Sequence, residues 1–530
     1  LSSARMLRAT LLVVFCVQAS VLITDAGRIL GIFPIPSISH QVVFRALTLE
    51  LANRGHELVI ITPNPALDEN NRHENVTEID TGQTYDVMME LLEEAQAMNM
   101  IKRGVTMDVD AMLSDDSARG ILRLISLQFS LPEVKQLLND KTQKFDLVFI
   151  EAIANYHLIV SHFFKAPVIL FSSFFGFPEH FSLMGAVGFH PIYYPSLYRN
   201  KFTSLSLWEK VQEFFVELKI IWLMQRAEDR EAKLLREHFG PEAPTIGEMK
   251  KNVQMLFVNA HPIFGNNRPV PPSVVYLGSL HLQPVKEIAM PLKGILDNST
   301  RGVIYVSLGT NVRPSMMDEE LLNVFLDAFE ALPFDILWKY DGDSLGRIPK
   351  NLMIQKWFPQ RDLLMHPNVK VFVMQGGMQS TDEAIDACIP LVGIPMLGDQ
   401  WYNVNKYVEL GIGVKLDVLT MTADDLTGAV YKVLNNDSYR ENLMRIRGIM
   451  NDLPQTSMER AVWWTEHIMR HGGGVHLHAP THNATWAQYL MVDVVAVILA
   501  GVAIILIVVL VVFCKVRNYI KKRIMKLKKN

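Results

Sequence analysis

The chain has 530 residues, 49% hydrophobic and 20% charged, with 51 Lys/Arg against 55 Asp/Glu and a net charge of −4. This composition is globular and too long for one ordinary core, so two domains are expected, and collagen-like, disordered and small disulfide-stapled classes are excluded. Eight of the basic residues lie within 515–530, which leaves 43 basic against 55 acidic elsewhere, a balance of −12 that argues against a nucleic-acid partner.

At the N-terminal end, Arg5 and Arg8 precede an apolar run from Ala9 to Ile23 and then Thr24-Asp25-Ala26. This is the pattern of a secretory signal cleaved near Ala26, with Met6 as initiator and residues 1–5 as upstream sequence. Arg28 to Phe33 is a short apolar strand, followed by a Pro/Ser loop, a helix over His40 to Asn53 and a second strand over Glu57 to Ile61. Further strands fit Asp146 to Ile150 and Val168 to Phe171. Phe174 to Leu207 is rich in Pro, Gly and aromatics and reads as loops around an apolar cleft, and 208–240 reads as helices.

Pro-rich stretches at 262–272 and 284–291 flank the expected domain boundary. The strand–helix logic then repeats. Gly302 to Ser307 is a buried-strand pattern, Leu308-Gly309-Thr310 a tight turn, Asp318 to Leu332 a helix and Ile336 to Lys339 the next strand. Strands over Met353 to Trp357, Val369 to Met374 and Ile389 to Ile394 follow, so each half is expected to be an α/β doubly wound parallel sheet.

Val494 to Cys514 is 21 residues without a charge, about 31 Å as a helix and enough to cross a bilayer once. The basic flank from Lys515 to Lys529 places the tail in the cytosol and the body in the lumen. Lys526 and Lys528 near the end resemble a dilysine retrieval signal, pointing to a single-pass type I protein of the endoplasmic reticulum membrane. The expected division is 1–26 signal, 27–284 first domain, 285–454 second domain, 455–490 return segment, 491–514 span and 515–530 tail.

Of the three cysteines only Cys388 falls in the mature lumenal body, so no intramolecular disulfide is available there. Sequons at Asn75, Asn298, Asn436 and Asn483 could carry glycans in that compartment.

The most specific chemistry lies in 357–400. The strand ending at Met374 runs into Gln375-Gly376-Gly377 and a helix led by Ser380 and Thr381, so free backbone N–H groups and the positive helix end face one crevice. That is an anion site suited to a diphosphate without metal. Around it stand Trp357-Phe-Pro-Gln360 and Gly398-Asp399-Gln400.

With these motifs the chain resembles the UDP-glycosyltransferases, family-one glycosyltransferases of the GT-B fold, and most resembles their insect and baculoviral, ecdysteroid-glucosyltransferase-like branch. The likeness runs from Arg28 through the tail. It implies two Rossmann-like domains facing a cleft plus one C-terminal transmembrane helix. By the resemblance Trp357 stacks on uracil and Gln360 and Glu383 hold the ribose. Ser307, Thr310, Gln375, Gly377, Gln379 and Ser380 surround the diphosphate, and Asp399 with Gln400 binds sugar hydroxyls. His40 takes the place of the catalytic base, and Glu151 that of the carboxylate orienting it, where the family usually has Asp. The family also usually has His where this chain has Gln375, which donates through its amide but carries no positive charge.

The resemblance implies inverting, metal-independent transfer of a hexose, glucose for the insect branch, from a UDP-sugar to a hydroxyl of a small lipophilic acceptor. The UDP-sugar is a co-substrate, no cofactor or metal is expected, and a homo-oligomer is compatible. The first domain takes the acceptor, the second the donor, and 455–488 with Trp463, Trp464 and Trp486 runs back across the first domain. Two alternatives stand beside this: an inactive homologue that binds a UDP-sugar or lipophile, and a single-pass receptor-like protein. Asp108-Val-Asp110 and Asp341-Gly-Asp343 imitate a metal-binding Asp-x-Asp but end no convincing strand, and Asp341-Gly-Asp343 reads as a turn. His471, His476, His478 and His482 are loosely spaced, without Cys or a helical His-x-x-x-His frame, and read as a juxtamembrane surface rather than a zinc site.

Overall fold

The computed structural model describes residues 26–67, 71–107, 109–112, 114–197, 199 and 201–528. The expected signal segment up to Asp25 lies outside them, as do Asp108, Lys529 and Asn530.

The first domain builds on β1 (Arg28–Ile32), β2 (Glu57–Thr62) and β3 (Val76–Asp80), and carries a small hairpin of β4 (Ile101–Lys102) and β5 (Thr106–Met107). Its sheet continues with β6 (Leu147–Glu151), β7 (Val168–Ser172), β8 (Val253–Val258) and β9 (Val274–Tyr276). The seven strands run parallel in the order β3-β2-β1-β6-β7-β8-β9. The second domain has β10 (Val303–Ser307), β11 (Asp335–Lys339), β12 (Leu352–Gln355), β13 (Val369–Met374), β14 (Leu391–Gly393) and β15 (Gly413–Lys415), parallel in the order β12-β11-β10-β13-β14-β15.

In both sheets the order reverses at the first strand, so β1/β6 and β10/β13 open switch-point crevices at their carboxyl ends. The central strands read as continuous apolar runs because helices cover both faces. Ile29, Leu147 and Phe257 pack toward one helical layer and Leu30, Val148 and Leu256 toward the other.

The sequence reading missed β3, β8, β9 and β15. β9 and β15 are only three residues long, and β3 is a half-exposed edge, so each offers little apolar signal. In β8 the run is broken by Gln254, whose side-chain oxygen accepts the N–H of Gly474 at 2.9 Å. Segment 208–240 is one helix, Leu207–Phe239, opened by a capping box between Ser206 and Glu209 and stopped at Gly240.

Helix Ser457–His471 returns to the first domain, where Ala461, Val462 and Ile468 join its core and Arg460 donates to the Tyr276 carbonyl at 2.9 Å. Beyond it, helix Val492–Leu527 is exposed along its length and apolar enough to cross a membrane. It runs past the expected limit at Cys514 because the basic tail stays helical.

The β4–β5 hairpin leaves the first domain and docks on the second. Val105 enters the second core, Thr106 Oγ1 donates to the Met396 carbonyl at 2.8 Å and Arg103 to the Val418 carbonyl at 2.9 Å. At its tip Gly104 has φ +76°, and a Cβ there would meet the Met316 carbonyl oxygen at 1.7 Å. No L side chain fits. Gly104→Ala is therefore expected to undock the hairpin, lowering the thermal midpoint and accelerating tryptic cleavage at Lys102 and Arg103. Unchanged digestion kinetics would refute that contact.

Candidate active site

On the first-domain side the site starts from a buried carboxylate. Glu151 ends β6 and is only 1% exposed. Its Oε2 accepts the Ile35 N–H at 3.2 Å, and its Oε1 accepts from His40 Nδ1 at 2.6 Å. A carboxylate accepts only, so Nδ1 carries the proton and Nε2 is left with its lone pair toward the cleft.

The helix expected from His40 starts two residues earlier, so His40 is the third residue of helix Ile38–Asn53. The loop before it is tied by buried Gln41, whose amide donates to the carbonyls of Phe33 (3.2 Å) and Ile35 (3.1 Å) and accepts from Thr62 Oγ1 (2.8 Å). Those bonds hold the backbone that presents both His40 and the Ile35 amide.

On the second-domain side, β10 and β13 end in two glycine turns. Gly376 has φ +102°, and a Cβ there would strike Val404 at 2.6 Å. Gly309 has φ +80° and lies against the Gln375 amide, 2.2 Å from where its own Cβ would be. Gln375 therefore lies across the turn. Helix Met378–Ala387 begins directly after Gly377, earlier than the Ser380–Thr381 start expected, so the unpaired N–H groups of Met378 to Ser380 open toward the cleft.

Gln360 donates to Ser380 Oγ at 2.8 Å and Glu383 Oε2 at 2.6 Å. Burial pushes the Glu383 carboxyl above the usual carboxylate range, against the pull of Gln360. Burial likewise raises Asp399, opposed by the Asn403 amide at 2.8 Å and by His40 across the cleft.

These groups line one cleft of about 450 Å³ between the domains, bounded by His40, Thr310, Trp357, Gln360, Gln375, Gly377, Gln379, Ser380, Glu383, Asp399 and Gln400. Two expected residues stand apart from the others. Ser307 is outside the lining and accepts the Gly309 N–H at 3.4 Å, so it shapes the turn. Gln400 lines the cleft but spends its side-chain oxygen on the Met396 and Leu397 N–H groups, leaving only its NH2 for a ligand.

Sequence reasoning missed Asn311, His281 and Lys339. Asn311 Oδ1 accepts from Ser37 Oγ of the opposite domain at 3.1 Å, and His281 Nε2 donates to the Gln379 carbonyl at 3.0 Å. Lys339 ends β11, donates to the Gly309 carbonyl at 2.6 Å and lies 4.7 Å from the Trp357 ring. Burial draws its ammonium down to about 8, with Asp341 opposing. A charge closing an apolar strand beside the glycine turn was the signal available for it.

A second cavity of about 430 Å³ lies in the first domain and shares Ile153 and Phe177 with the cleft. Phe177, Glu179, His180, Ser182, Leu183 and Phe189 come from the expected Phe174 to Leu207 loops, and the rest of its wall comes from elsewhere, Ile121, Leu122, Ile221, Met224 and Trp486 among it. Within it burial pushes Glu179 and Glu231 up to about 7 and His180 down to about 3. Glu231 accepts the Asn155 N–H at 2.9 Å.

Of the two Asp-x-Asp motifs, Asp108-Val-Asp110 lies in part outside the described residues and Asp341-Gly-Asp343 forms a bend. Asp341 accepts from Ser315 and Asp343 pairs with Lys356 at 2.6 Å, which makes a tied turn. The histidines do contain a helical His-x-x-x-His, overlooked above, in His467 and His471, and His467 Nε2 lies 2.9 Å from His476 Nε2. Even so, no group of three His, Cys, Asp or Glu among the described residues is placed to hold an ion.

Two switch-point crevices facing each other, one with a His–carboxylate pair and one with a helix N-terminus, define a glycosyltransferase of the GT-B fold. Solved structures share this architecture. The calicheamicin glycosyltransferase CalG4 matches with TM-score 0.54 at 16% identity, covering 84% of this chain and 99% of that one. An Arabidopsis thaliana protein complexed with UDP-L-rhamnose matches with TM-score 0.55 at 15% identity over 84% and 99%.

Within that class the chain belongs to the UDP-glucoronosyl and UDP-glucosyl transferase family, whose family model matches residues 28–530. It is similar to the ecdysteroid UDP-glucosyltransferase of Spodoptera littoralis nuclear polyhedrosis virus, 42% identical over 91% of this chain and 96% of that protein. It is also similar to UDP-glucosyltransferase 2 of Dactylopius coccus, 30% identical over 97% and 96%.

Because the Glu151 carboxylate holds the His40 tautomer, Glu151→Gln is expected to lower kcat by about 10²- to 10⁴-fold. UDP affinity, measured by calorimetry, stays within about twofold because Glu151 is outside the donor lining. An equal loss of UDP binding would show that Glu151 is structural.

Proposed function

We propose that this chain transfers glucose from UDP-glucose, with inversion and without a metal, to a hydroxyl of a lipophilic acceptor. The observation that carries this reading is the His40–Glu151 pair, 2.6 Å apart and facing Trp357, Gln375 and Asp399 across one cleft.

Trp357, 58% exposed, offers a flat face to uracil. Gln360 and Glu383 are spaced for ribose hydroxyls, and Thr310, Gln375, Gly377, Gln379, Ser380 and the N–H groups of helix Met378–Ala387 surround the diphosphate. Asp399 and the Gln400 NH2 face the hexose rim. His40 Nε2 takes the proton of the acceptor hydroxyl as its oxygen attacks the anomeric carbon. The bond from that carbon to the β-phosphate oxygen breaks, its electron pair leaves with UDP, and Glu151 stabilises the imidazolium. Gln375 brings no charge to the leaving group; of the cations lining the cleft, Arg361 is paired with Asp386, which leaves Lys339 for the phosphates.

The second cavity, which shares Ile153 and Phe177 with the cleft, is the acceptor site in this reading. Its apolar wall with a few buried carboxylates suits a hydroxylated lipophile, and the names of the baculoviral relatives make ecdysteroids the first class to test, ahead of pigments and plant toxins. Conjugation of a hormone or xenobiotic would then take place in the endoplasmic reticulum lumen, with helix Val492–Leu527 as type I anchor and a cleaved signal before it. Of the sequons, Asn298 and Asn436 are exposed, whereas the side-chain amides of Asn75 and Asn483 donate to the Ala52 and Gly247 carbonyls.

A second reading, a binding homologue without turnover, is favoured by Gln375 alone. Membranes expressing the chain are expected to release UDP from UDP-glucose only when an ecdysteroid or phenol panel is present, and His40→Ala to abolish that release. UDP binding without acceptor-dependent release from the unaltered chain would favour the second reading.

Lys339 gives a pH test with a definite sign. It is charged below about 8 and loses its proton above, so KM for UDP-glucose is expected to rise as pH passes 8. Lys339→Ala should raise KM about 10- to 100-fold at neutral pH, the size of a lost charge-assisted contact, while Lys339→Arg should remove the alkaline rise. A pH-independent KM would place Lys339 away from the phosphates.

A further inference from the structure

The second cavity of the first domain holds more acid than its cations can meet. Its wall carries Glu179 and His180 from helix Pro178–Leu183, Glu228, Arg230 and Glu231 from helix Leu207–Phe239, and Lys250 from helix Ile246–Lys250. Both cations are committed, Lys250 to Glu228 at 2.6 Å and Arg230 to Asp115 at 2.6 Å. Among the described residues Glu179 and Glu231 are left without a cation of their own.

Glu231 is 8% exposed and spends one oxygen, Oε2, on the Asn155 N–H at 2.9 Å. His180 is 4% exposed, and its Nδ1 has no hydrogen-bond partner among the described residues. An unmet ring nitrogen and two unpaired carboxyls around one cavity are costly unless a polar group enters to meet them. Burial, reinforced by Glu228 and opposed by Lys250, holds both carboxyls up to about 7, and burial takes His180 down to about 3. At neutral pH His180 is therefore an uncharged ring, and each carboxyl keeps a large share of its proton. A carboxyl in that state both donates and accepts, which matches a neutral hydroxyl or carbonyl, whereas an anionic group would meet like charge.

These groups do not line the cleft that holds His40, and His40 does not line the cavity. The two spaces share Ile153 and Phe177. Asn155 and Glu179 follow those residues by two positions, within about 7 Å along the chain. An acceptor lying across Ile153 and Phe177, with one hydroxyl at His40 Nε2, therefore presents a different group to the carboxyls.

We propose that Glu231, Glu179 and His180 form a specificity subsite that takes a second, uncharged polar group of the acceptor, so that the chain selects lipophiles with a hydroxyl or carbonyl besides the hydroxyl it glucosylates and rejects acidic ones. The subsite stands only if the second cavity is the acceptor site.

The test measures UDP release from UDP-glucose by the full-length chain in membranes, with a series of hydroxybiphenyls as acceptors. The series is the monohydroxy compound and its second-ring hydroxy, carboxy and aminomethyl derivatives, in meta and para forms to vary the spacing. For the better dihydroxy isomer kcat/KM is expected about tenfold or more above that of the monohydroxy compound, and for the carboxy derivatives about tenfold or more below it. In Glu231→Leu the dihydroxy advantage is expected to fall to about twofold, the statistical value for two transferable hydroxyls. In the double variant Glu179→Gln, Glu231→Gln that advantage survives, and the carboxy derivatives gain about tenfold, because an amide donates and accepts without charge. A purely structural role moves neither ratio.

Met224→Trp, which fills the cavity from its apolar wall, separates the subsite from the reading it depends on. It is expected to lower kcat/KM for the whole series about tenfold, with UDP affinity by calorimetry within about twofold. If it does so while the ratios among acceptors are the same in every variant, the subsite is overturned and the acceptor site stands. If Met224→Trp changes nothing, or if no member of the series is a substrate while UDP binds, the acceptor site falls and the subsite with it. Faster transfer to an aminomethyl than to a dihydroxy compound would show the carboxyls acting as anions and would also overturn the subsite. UDP binding reports the folding of each variant, and the double Gln variant, which keeps an oxygen for the Asn155 N–H, decides if Glu231→Leu does not fold.

Discussion

A carboxylate 1% exposed at the end of a β-strand is stable only if its lone pairs are met by donors, because breaking such a buried pair costs about 3–5 kcal/mol. Glu151 finds those donors in the Ile35 N–H and the His40 ring. That requirement determines the path of loop 33–37, the start of helix Ile38–Asn53 and the tautomer of His40. Gln41, itself buried, ties the same loop to β1 and β2. The carboxylate that meets the His40 ring thereby also holds the loop at the first crevice, so the fold and the proposed chemistry depend on one set of hydrogen bonds. The length of the Glu side chain is accommodated by burying its stem and bonding both oxygens.

The second domain meets the same problem with the opposite sign. In the proposed function a diphosphate needs donors and positive potential, which would come from an open helix end, two glycine turns that let the backbone approach, and a partly desolvated Lys339. Gly309 serves twice, as the turn over which Gln375 lies and as the carbonyl that holds the Lys339 ammonium. With a neutral amide at position 375, the cation stands one strand away, on β11. Asp399 sits where both domains act on it, raised by burial and drawn down by His40, so the state of this carboxylate depends on how the domains come together.

That closure is held by contacts remote in sequence: the β4–β5 hairpin on the second core, Ser37 on Asn311, Gln379 on the Ser173 carbonyl, and the return helix on the first domain. The same return segment contributes Trp486 to the wall of the first-domain cavity and then enters the expected span.

By itself the sequence determined what periodicity and local chemistry can encode. Buried strands such as Gly302 to Ser307 and Val369 to Met374, the Gln375-Gly376-Gly377 turn and helix start, and the span from Val494 were legible because each is written in contiguous residues. The family resemblance in turn named His40, Trp357, Gln360 and Asp399. Only the tertiary structure decided what depends on residues far apart: that Glu151 reaches His40, that Ser307 turns away from the cleft, that Lys339 lies beneath Trp357, and that residues 112–125, 221–231 and 483–486 enclose one cavity. The histidine pair His467/His471 shows the converse, a local pattern joined in space by His476, yet among the described residues no three such groups are placed to hold an ion. Short edge strands such as β9 and β15 escaped for a related reason. Three residues carry too little apolar signal alone, and their neighbours in the sheet supply the rest.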